Sequence, residues 1–312
     1  MPVAPEIEKL LPAINAQPPM HATPLAELRR TRERIDATDF QPVHAVLDRT
    51  IPGPAGPLPI RLYSPEAGAQ DKLPLVLVFH GGGFVFGGID GYYDHVCRVY
   101  CTQAHSRVIS VGYRLAPEDK FPAATDDCHA ALVWATRHAD ELGIDAERVI
   151  VAGGSAGANL AAVTALRARD GQGPTLCGQI LFYPLLDFHT PPSASALACA
   201  EGYYLTRADV IWFWKQYLRD DSDADDPHAV PLRAQHLAGL PPALIITAEY
   251  DPLRDDGEHY AQRLRQQGVP VTLSRYAGMV HGFMAFPTPQ ADVALQQGVA
   301  WIEALTRRAG LR

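Results

Sequence analysis

The chain has 312 residues, of which 47% are hydrophobic and 20% are charged, and its formal net charge is -8. A chain of this length and composition is typical of a globular protein whose core needs neither disulfides nor metals for stability. The acidic balance, without a large cluster of Lys and Arg, excludes a nucleic-acid partner.

Membrane insertion, secretion and metal binding are also not expected. The N-terminus lacks a basic stretch followed by an apolar stretch, and no apolar run is long enough to cross a bilayer. The five cysteines form no C-x-x-C pair, which favours reduced thiols and a cytoplasmic location. Cys97, Cys101 and His105 would share one face of a helix, but no carboxylate or second histidine has a matching spacing. We therefore expect no bound metal.

The first elements in chain order are two predicted helices, over Pro5–Ala16 and Pro24–Ile35. Two strands follow, over Val46–Ile51 and Leu58–Tyr63, and the glycines and prolines between them predict a hairpin. The helices precede the first strand, so we assign residues 1–45 to a helical appendage of the sheet.

From Leu75 onward, short apolar runs alternate with helical segments. The apolar runs are Leu75–Phe79, Val108–Val111, Val149–Ala152, Gln179–Tyr183, Ala243–Thr247 and Val271–Tyr276. The helical segments are Ala123–Arg137, Ala156–Asp170, Glu258–Gln267 and Val293–Arg308. Continuous apolar runs are typical of strands that are covered on both faces, and their alternation with helices predicts an α/β fold with a mostly parallel sheet.

Residues 185–240 interrupt this alternation, because they contain no strand pattern. They contain instead an aromatic-rich predicted helix, Thr206–Leu218. We interpret this insertion and residues 1–45 as the two parts of a cap over the carboxyl ends of the strands, on a core formed by residues 46–184 and 241–312. The alternative is a peripheral subdomain that does not contact substrate.

The segment Gly153–Gly157 matches the pattern G-x-S-x-G after a buried strand and before a helix. A sharp turn in this context exposes the hydroxyl of Ser155, and it needs tiny neighbours such as Gly153 and Gly157. The free N–H groups of the helix N-terminus, including that of Ala156, would favour a developing oxyanion. The alternative is a glycine-rich turn that only packs the helix on the sheet.

A second glycine-rich segment, His80–Gly83, directly follows the strand Leu75–Phe79. Consecutive glycines allow main-chain N–H groups to approach a ligand closely. The segment has the form of the HGGG loop that supplies oxyanion donors in lipases and esterases. A tight turn or a phosphate-binding loop is the alternative, although the spacing G-x-G-x-x-G is absent.

A serine nucleophile of this kind is followed along the chain by an acid and then a histidine. Asp251 and His281 each follow a predicted strand, so both lie at the sheet edge that carries Ser155. Position alone distinguishes His281 from the other histidines. Glu249 is the competing acid, and we favour Asp251 because it lies beyond the end of the strand.

Together these segments resemble the bacterial carboxylesterases of the hormone-sensitive-lipase family, within the α/β-hydrolase superfamily. The resemblance covers the chain from about Val46 onward. It depends on the segments His80–Phe84, Tyr113–Glu118, Gly153–Gly157, Glu249–Asp255 and His281–Phe283.

The resemblance implies an eight-stranded, mostly parallel sheet flanked by helices, with a helical cap. It implies hydrolysis of a small-molecule ester with a short to medium acyl group, through an acyl-enzyme and without a cofactor. The implied site residues are the triad Ser155, Asp251 and His281 and the oxyanion donors Gly82, Gly83 and Ala156. A homodimer through the edge strand near Val271–Tyr276 is also implied.

Gly154 departs from the family pattern, which often has an acidic residue just before the nucleophile. We expect a looser turn there, and an internal ion pair between Arg114 and Glu118. Two other functions use the same fold: an amidase or lactonase with the same triad, and a non-catalytic ligand receptor. The receptor would predict the loss of a triad residue, and all three are present.

Overall fold

The structure is a computed structural model that describes residues 2–32, 41–68 and 71–309. Its strands, numbered in chain order, are β1 Ala45–Gly53, β2 Gly56–Ser64, β3 Leu73–Phe79, β4 Arg107–Val111, β5 Ile144–Gly154, β6 Gly178–Phe182, β7 Ala243–Tyr250 and β8 Val271–Val280. They form one eight-stranded sheet in the order β1-β2-β4-β3-β5-β6-β7-β8. The pairs β1–β2 and β2–β4 are antiparallel and the other pairs are parallel, which confirms the predicted mostly parallel sheet.

Helices follow most of the strands. The α-helices of the described residues are α1 Pro5–Asn15, α2 Leu25–Arg32, α3 Tyr92–Gln103, α4 Ala123–Arg137, α5 Ala139–Leu142, α6 Ala156–Arg167, α7 Ala194–Ala198, α8 Arg207–Tyr217, α9 Arg254–Gln266 and α10 Pro289–Ala309. The predicted helix that begins at Ala156 ends earlier than expected, because Asp170 and Gly171 leave helical geometry. The last three residues of the predicted helix Pro24–Ile35 lie outside the described residues.

Strand β3, at the centre of the sheet, is apolar along its whole length because helices cover both faces of the sheet. All seven residues of β3 are buried, and successive side chains belong to opposite layers. Leu75 and Leu77 pack in the layer that contains α4, α6 and α8, whereas Val76 and Val78 pack in the layer that contains α3 and α10. This two-sided burial is the reason that the strand sequences do not alternate between apolar and polar residues.

The insertion 185–240 contains no strand, as predicted, and its longest helix is α8. A capping box of Thr206 and Asp209 begins this helix. Asp209 also accepts hydrogen bonds from the main-chain N–H and the Nδ1 of His21, at 2.8 Å each. The N-terminal segment therefore contacts the insertion directly.

One predicted ion pair is wrong. Arg114 forms a bidentate pair with Asp127 on α4, with both N–O distances at 2.9 Å. Glu118 instead bonds Arg29 of α2, at 2.7 Å. The two residues of the expected pair thus have partners on different elements, which spacing along one segment does not reveal.

Three features bear on metal binding and membrane insertion: the cysteines, groups of possible metal ligands, and long apolar helices. Cys97 and Cys101 are buried on α3, and all five cysteines are free thiols. Across residues 2–32, 41–68 and 71–309, no group of three or more His, Cys, Asp or Glu side chains is placed to hold a metal ion. Within the same ranges no helix is long and apolar enough to cross a membrane.

Candidate active site

Ser155 lies in a strained turn between β5 and α6. Its backbone has φ 57° and ψ -119°, a conformation that non-glycine residues rarely adopt. A Cβ on Gly157 would lie 2.0 Å from the carbonyl oxygen of Phe79, and one on Gly153 would lie 2.3 Å from the carbonyl carbon of Gly157. Only glycine fits at both positions, so the turn that exposes the serine hydroxyl is enforced by the neighbouring main chain.

His281 directly follows β8 and joins Ser155 to Asp251. Its Nε2 lies 3.0 Å from the Oγ of Ser155, and its Nδ1 lies 2.8 Å from an Oδ2 of Asp251. Asp251 is fully buried, and its other carboxylate oxygen accepts the N–H of Leu253 at 2.8 Å. A carboxylate at Asp251 accepts a hydrogen bond from Nδ1–H of His281, which leaves Nε2 unprotonated and able to take the serine proton.

Glu249, the competing acid, lies within β7. Its carboxylate accepts the main-chain N–H of Gly278 at 2.7 Å, and this hydrogen bond lowers the pKa of Glu249. Asp251 is the carboxylate that is bonded to His281. The structure therefore places the predicted acid, rather than its competitor, beside the histidine.

The loop after β3 has a conformation that requires glycine. Gly82 has φ 119° and Gly83 has φ 59°. A Cβ on Gly82 would lie 2.1 Å from the carbonyl oxygen of Phe86, and one on Gly83 would lie 2.1 Å from the ring of Phe213. The loop also lies close to Ser155, because a Cβ on Gly81 would be 3.5 Å from the Cβ of Ser155. The main chain of the loop therefore approaches the serine directly.

His80, which begins this glycine-rich segment, contacts the loop through its buried ring. Its Nδ1 lies 2.8 Å from the carbonyl oxygen of Gly81, and its ring stacks on Tyr113 at a centroid distance of 4.1 Å. The hydroxyl of Tyr113 donates to the carbonyl oxygen of His80 at 2.7 Å. Burial lowers the pKa of His80 to about 4 because it disfavours the charged imidazolium. The imidazole is therefore neutral at physiological pH and acts as a structural hydrogen-bond donor.

Two further side chains at the site were not predicted as site residues. The ring of Tyr183 meets that of His281 edge to face, at a centroid distance of 5.0 Å. Tyr93 of α3 reaches the carbonyl oxygen of Gly154 with its hydroxyl, at 3.4 Å. Tyr183 carries one sequence signal, since it ends a predicted strand at the catalytic edge, but Tyr93 carries none.

Ser155 and His281 open onto a cavity of about 420 Å³. We call its first side the sheet-edge wall, and it consists of Gly81, Gly82, Gly83, Ser155, Tyr183 and His281. The opposing side comes from the N-terminal segment and the insertion, and we call it the insertion wall. It consists of Met20, Tyr204, Leu205, Val210 and Phe213. The cavity is therefore apolar opposite the serine and polar beside it, which suits a small ligand with one reactive polar group.

A family model for the alpha/beta hydrolase fold matches residues 76–285 of the chain. Carboxylic ester hydrolase LipN of Mycobacterium tuberculosis is 47% identical over 245 residues, which cover 77% of this chain and 64% of LipN. The chain therefore spans a little less than two thirds of that relative. Esterase LipI of the same organism is 41% identical over 281 residues, which cover 87% of each chain.

Solved structures of similar proteins extend the likeness to nearly the whole chain. A hyperthermophilic esterase from the archaeon Pyrobaculum calidifontis superposes with a TM-score of 0.93 at 40% identity, over 98% of this chain and 99% of that one. The thermophilic carboxylesterase EstE1 from a metagenomic library superposes with a TM-score of 0.87 at 43% identity, over 91% of this chain and 98% of that one.

Proposed function

Because the chain belongs to the α/β-hydrolase family of serine ester hydrolases, we propose that it hydrolyses short to medium acyl esters through Ser155, His281 and Asp251. The observation that carries this proposal is the hydrogen-bonded series of these three side chains at the mouth of an apolar cavity. A nucleophile, a base and a group that orients the base are the parts that acyl transfer requires.

In the first half of the reaction, the Oγ of Ser155 attacks the ester carbonyl carbon while Nε2 of His281 takes the serine proton. Asp251 accepts the hydrogen bond from Nδ1–H and stabilises the imidazolium. The N–H groups of Gly82, Gly83 and Ala156 donate hydrogen bonds that stabilise the negative charge on the carbonyl oxygen. Ala156 suits this role because it is the first residue of α6, where a helical N–H has no intrahelical partner.

In the second half, His281 gives its proton to the leaving alcohol, and the acyl group remains on Ser155. Water then attacks this acyl-enzyme while His281 again acts as the base, which releases the acid and restores the serine. The proposed reaction needs no cofactor, because the chain itself supplies the nucleophile, the base and the oxyanion donors.

The size and lining of the cavity support an ester with a short to medium acyl group as the substrate. Its volume of about 420 Å³ lies within the range of roughly 300–1,000 Å³ that is usual for small-molecule sites. Leu205, Val210 and Phe213 would contact the apolar part of such an ester. A long acyl chain would have to extend beyond these residues into solvent.

We also assign residues 1–45 and 185–240 to a cap, with residues 46–184 and 241–312 as the core. Support comes from Met20 of the first segment and Phe213 of the second, which line the same cavity. The free thiols favour the cytoplasm. We also propose a homodimer through β8, which agrees with the place of this strand at the edge of the sheet. Sedimentation at two protein concentrations tests this, and a monomer at both concentrations would contradict it.

The test is a series of p-nitrophenyl esters, from acetyl to palmitoyl, with the wild type and Ser155→Ala. We expect the highest kcat/KM among the short and medium chains, and a loss of at least about 10⁴-fold in the variant. Ser222→Ala, at an exposed turn, makes the same chemical change away from the cavity and should retain full activity. Turnover that persists in Ser155→Ala would contradict the proposed nucleophile.

Amide and lactone substrates test the second candidate function, because they use the same triad. We expect p-nitrophenyl butyrate to be turned over faster than p-nitrobutyranilide and than a γ-lactone. A reversed order would replace the ester proposal with an amidase or lactonase. A ligand receptor on the same fold would bind ligand without Ser155-dependent turnover.

A further inference from the structure

The hydroxyl of Tyr93 lies between the two main-chain segments of the candidate site. Tyr93 belongs to the first turn of α3, and its hydroxyl is 3.4 Å from the carbonyl oxygen of Gly154. A Cβ on Gly154 would come within 2.6 Å of this hydroxyl, and a Cβ on Gly81 would come within 2.7 Å of it. The phenol oxygen therefore contacts both the loop after β3 and the turn that carries Ser155.

These two segments also contact each other directly. A Cβ on Gly81 would lie 2.8 Å from the carbonyl oxygen of Gly154 and 3.5 Å from the Cβ of Ser155. The loop, the turn and the phenol oxygen thus form a close three-way contact. Gly154 was expected to loosen the turn, but the space that a side chain would occupy there is filled by Tyr93.

The protonation state of Tyr93 suits a hydrogen-bond donor. Burial raises the pKa of Tyr93 well above its usual value, although the main chain of Gly81 partly opposes this shift. The phenol therefore keeps its proton throughout the pH range in which esterases are assayed. The carbonyl oxygen of Gly154 is the acceptor that the structure places beside that proton.

We propose that Tyr93 is a positioning residue that sets the separation between the loop carrying Gly82 and Gly83 and the turn carrying Ser155. This inference rests on the proposed function. Its physical reason is that N–H donors from the loop and from the turn must converge on one oxyanion. A displacement of about 1 Å between groups that act together costs up to about 100-fold in rate.

The experiment compares Tyr93→Phe, Gly154→Ala and the double variant by kcat and KM on p-nitrophenyl butyrate. Tyr93→Phe should lower kcat about tenfold, with KM within about twofold, because it removes the hydroxyl that contacts both main-chain segments and keeps the ring that lines the cavity. Gly154→Ala should lower kcat about 100-fold, because its Cβ displaces the phenol. In the double variant the Cβ gains the space of the hydroxyl, although it still lies 3.1 Å from the ring of Tyr183. We therefore expect a kcat within about threefold of that of Tyr93→Phe, rather than the product of the two losses.

Tyr100→Phe is the matched control, because it removes a buried hydroxyl two turns further along the same helix, at a residue that does not line the cavity. It should retain full kcat. Rates are expressed per active site titrated with a serine-directed phosphonate, so that a loss of folded protein does not count as a loss of kcat. Thermal unfolding of each variant is measured in parallel.

Three outcomes would overturn the inference: unchanged kcat in Tyr93→Phe, a raised KM with unchanged kcat, or losses in the double variant that multiply. If Tyr93→Phe fails to fold, an unaltered kcat in Gly154→Ala has the same consequence. Failure of the proposed function is distinguishable, because the wild type would then show no turnover that Ser155→Ala abolishes.

Discussion

The sheet-edge wall and the insertion wall enclose the same cavity but are held by different interactions. The sheet-edge wall is positioned mainly by main chain. Gly157 and Gly82 fit because carbonyl groups occupy the space where their side chains would be, and the main-chain N–H of Ser155 donates to the carbonyl oxygen of Phe182 at 2.9 Å. The contacts of Gly157 and Ser155 involve Phe79 of β3 and Phe182 of β6, so they cannot change without moving a strand of the sheet.

Side chains join the insertion wall to the rest of the chain at both ends of α8, and at its end a main-chain hydrogen bond from Phe121 to Tyr217 adds to them. At its beginning, His21 bonds Asp209, and the side chain of His21 is 35% exposed. At its end, the ammonium of Lys120 donates to the carbonyl oxygens of Lys215 and Leu218, at 2.9 and 2.6 Å. The difference teaches that the atoms of the proposed reaction are positioned by the sheet, whereas the insertion wall depends on side-chain contacts that single substitutions can remove.

The largest expected effect is at Asp251, which is bonded to His281 of the sheet-edge wall. Asp251→Asn should lower kcat about 10⁴-fold while KM changes less than about threefold, because an amide favours the wrong tautomer of His281. Steady-state kinetics on p-nitrophenyl butyrate measure both constants. Glu249→Gln is the matched control, since it changes the competing acid in the same way, and it should lower kcat less than about twofold. A comparable loss in both variants would contradict the assignment of Asp251.

The next effect concerns the buried imidazole of His80, which contacts the loop after β3. The pKa of His80 is about 4 in the folded protein and 6.5 in its ordinary environment, so between these values the unfolded chain binds more protons. The contribution of the neutral His80 to the free energy of unfolding is therefore fully present above pH 6.5. It is lost as the pH falls towards 4, by an amount on the order of 3 kcal/mol.

Urea unfolding at several pH values between 4 and 8 measures this contribution. The free energy of unfolding should fall less steeply with decreasing pH in His80→Gln than in the wild type. His236→Gln removes an exposed histidine and should keep the slope of the wild type. Equal slopes in the wild type and His80→Gln would show that the buried imidazole does not contribute to acid sensitivity.

The smallest effect is expected at the insertion wall. His21→Ala removes a partly exposed contact, while Asp209 keeps its bonds to Thr206. KM for p-nitrophenyl butyrate should rise about threefold with kcat within about twofold, because the main-chain N–H of residue 21 still bonds Asp209 after the substitution. His228→Ala alters another contact between a histidine and an aspartate, outside the cavity, and should change neither constant. A fall in kcat with unchanged KM would show instead that the two walls are coupled.

Much of the fold could be predicted because two simple patterns dominate it: short apolar runs that form strands, and the helical segments that alternate with them. Six apolar runs and the predicted hairpin placed all eight strands, although β5 begins five residues earlier and β8 ends four residues later than expected. The comparisons confirm the predicted family of ester hydrolases. The assignment of the cap and the roles of the site residues stay predictions. α3 was not predicted as an element, although the spacing of Cys97, Cys101 and His105 had suggested helical periodicity.

The sequence by itself determined the order of the three proposed catalytic side chains along the chain and the edge of the sheet at which they lie. Ser155, Asp251 and His281 each follow a parallel strand, and the carboxyl ends of parallel strands meet at one edge of a sheet. Their local motifs can be recognised in the sequence because each depends on neighbours within a few residues. Around the serine, for example, the turn leaves no space for side chains at Gly153 and Gly157.

Only the tertiary structure decided which side chains meet across elements. Arg114 bonds Asp127 rather than Glu118, and Tyr93 fills the space beside Gly154. The insertion wall likewise joins Met20 to residues that follow it by more than 180 positions. Such contacts depend on how helices pack on the sheet, and packing depends on the whole set of neighbours rather than on the spacing within any one segment.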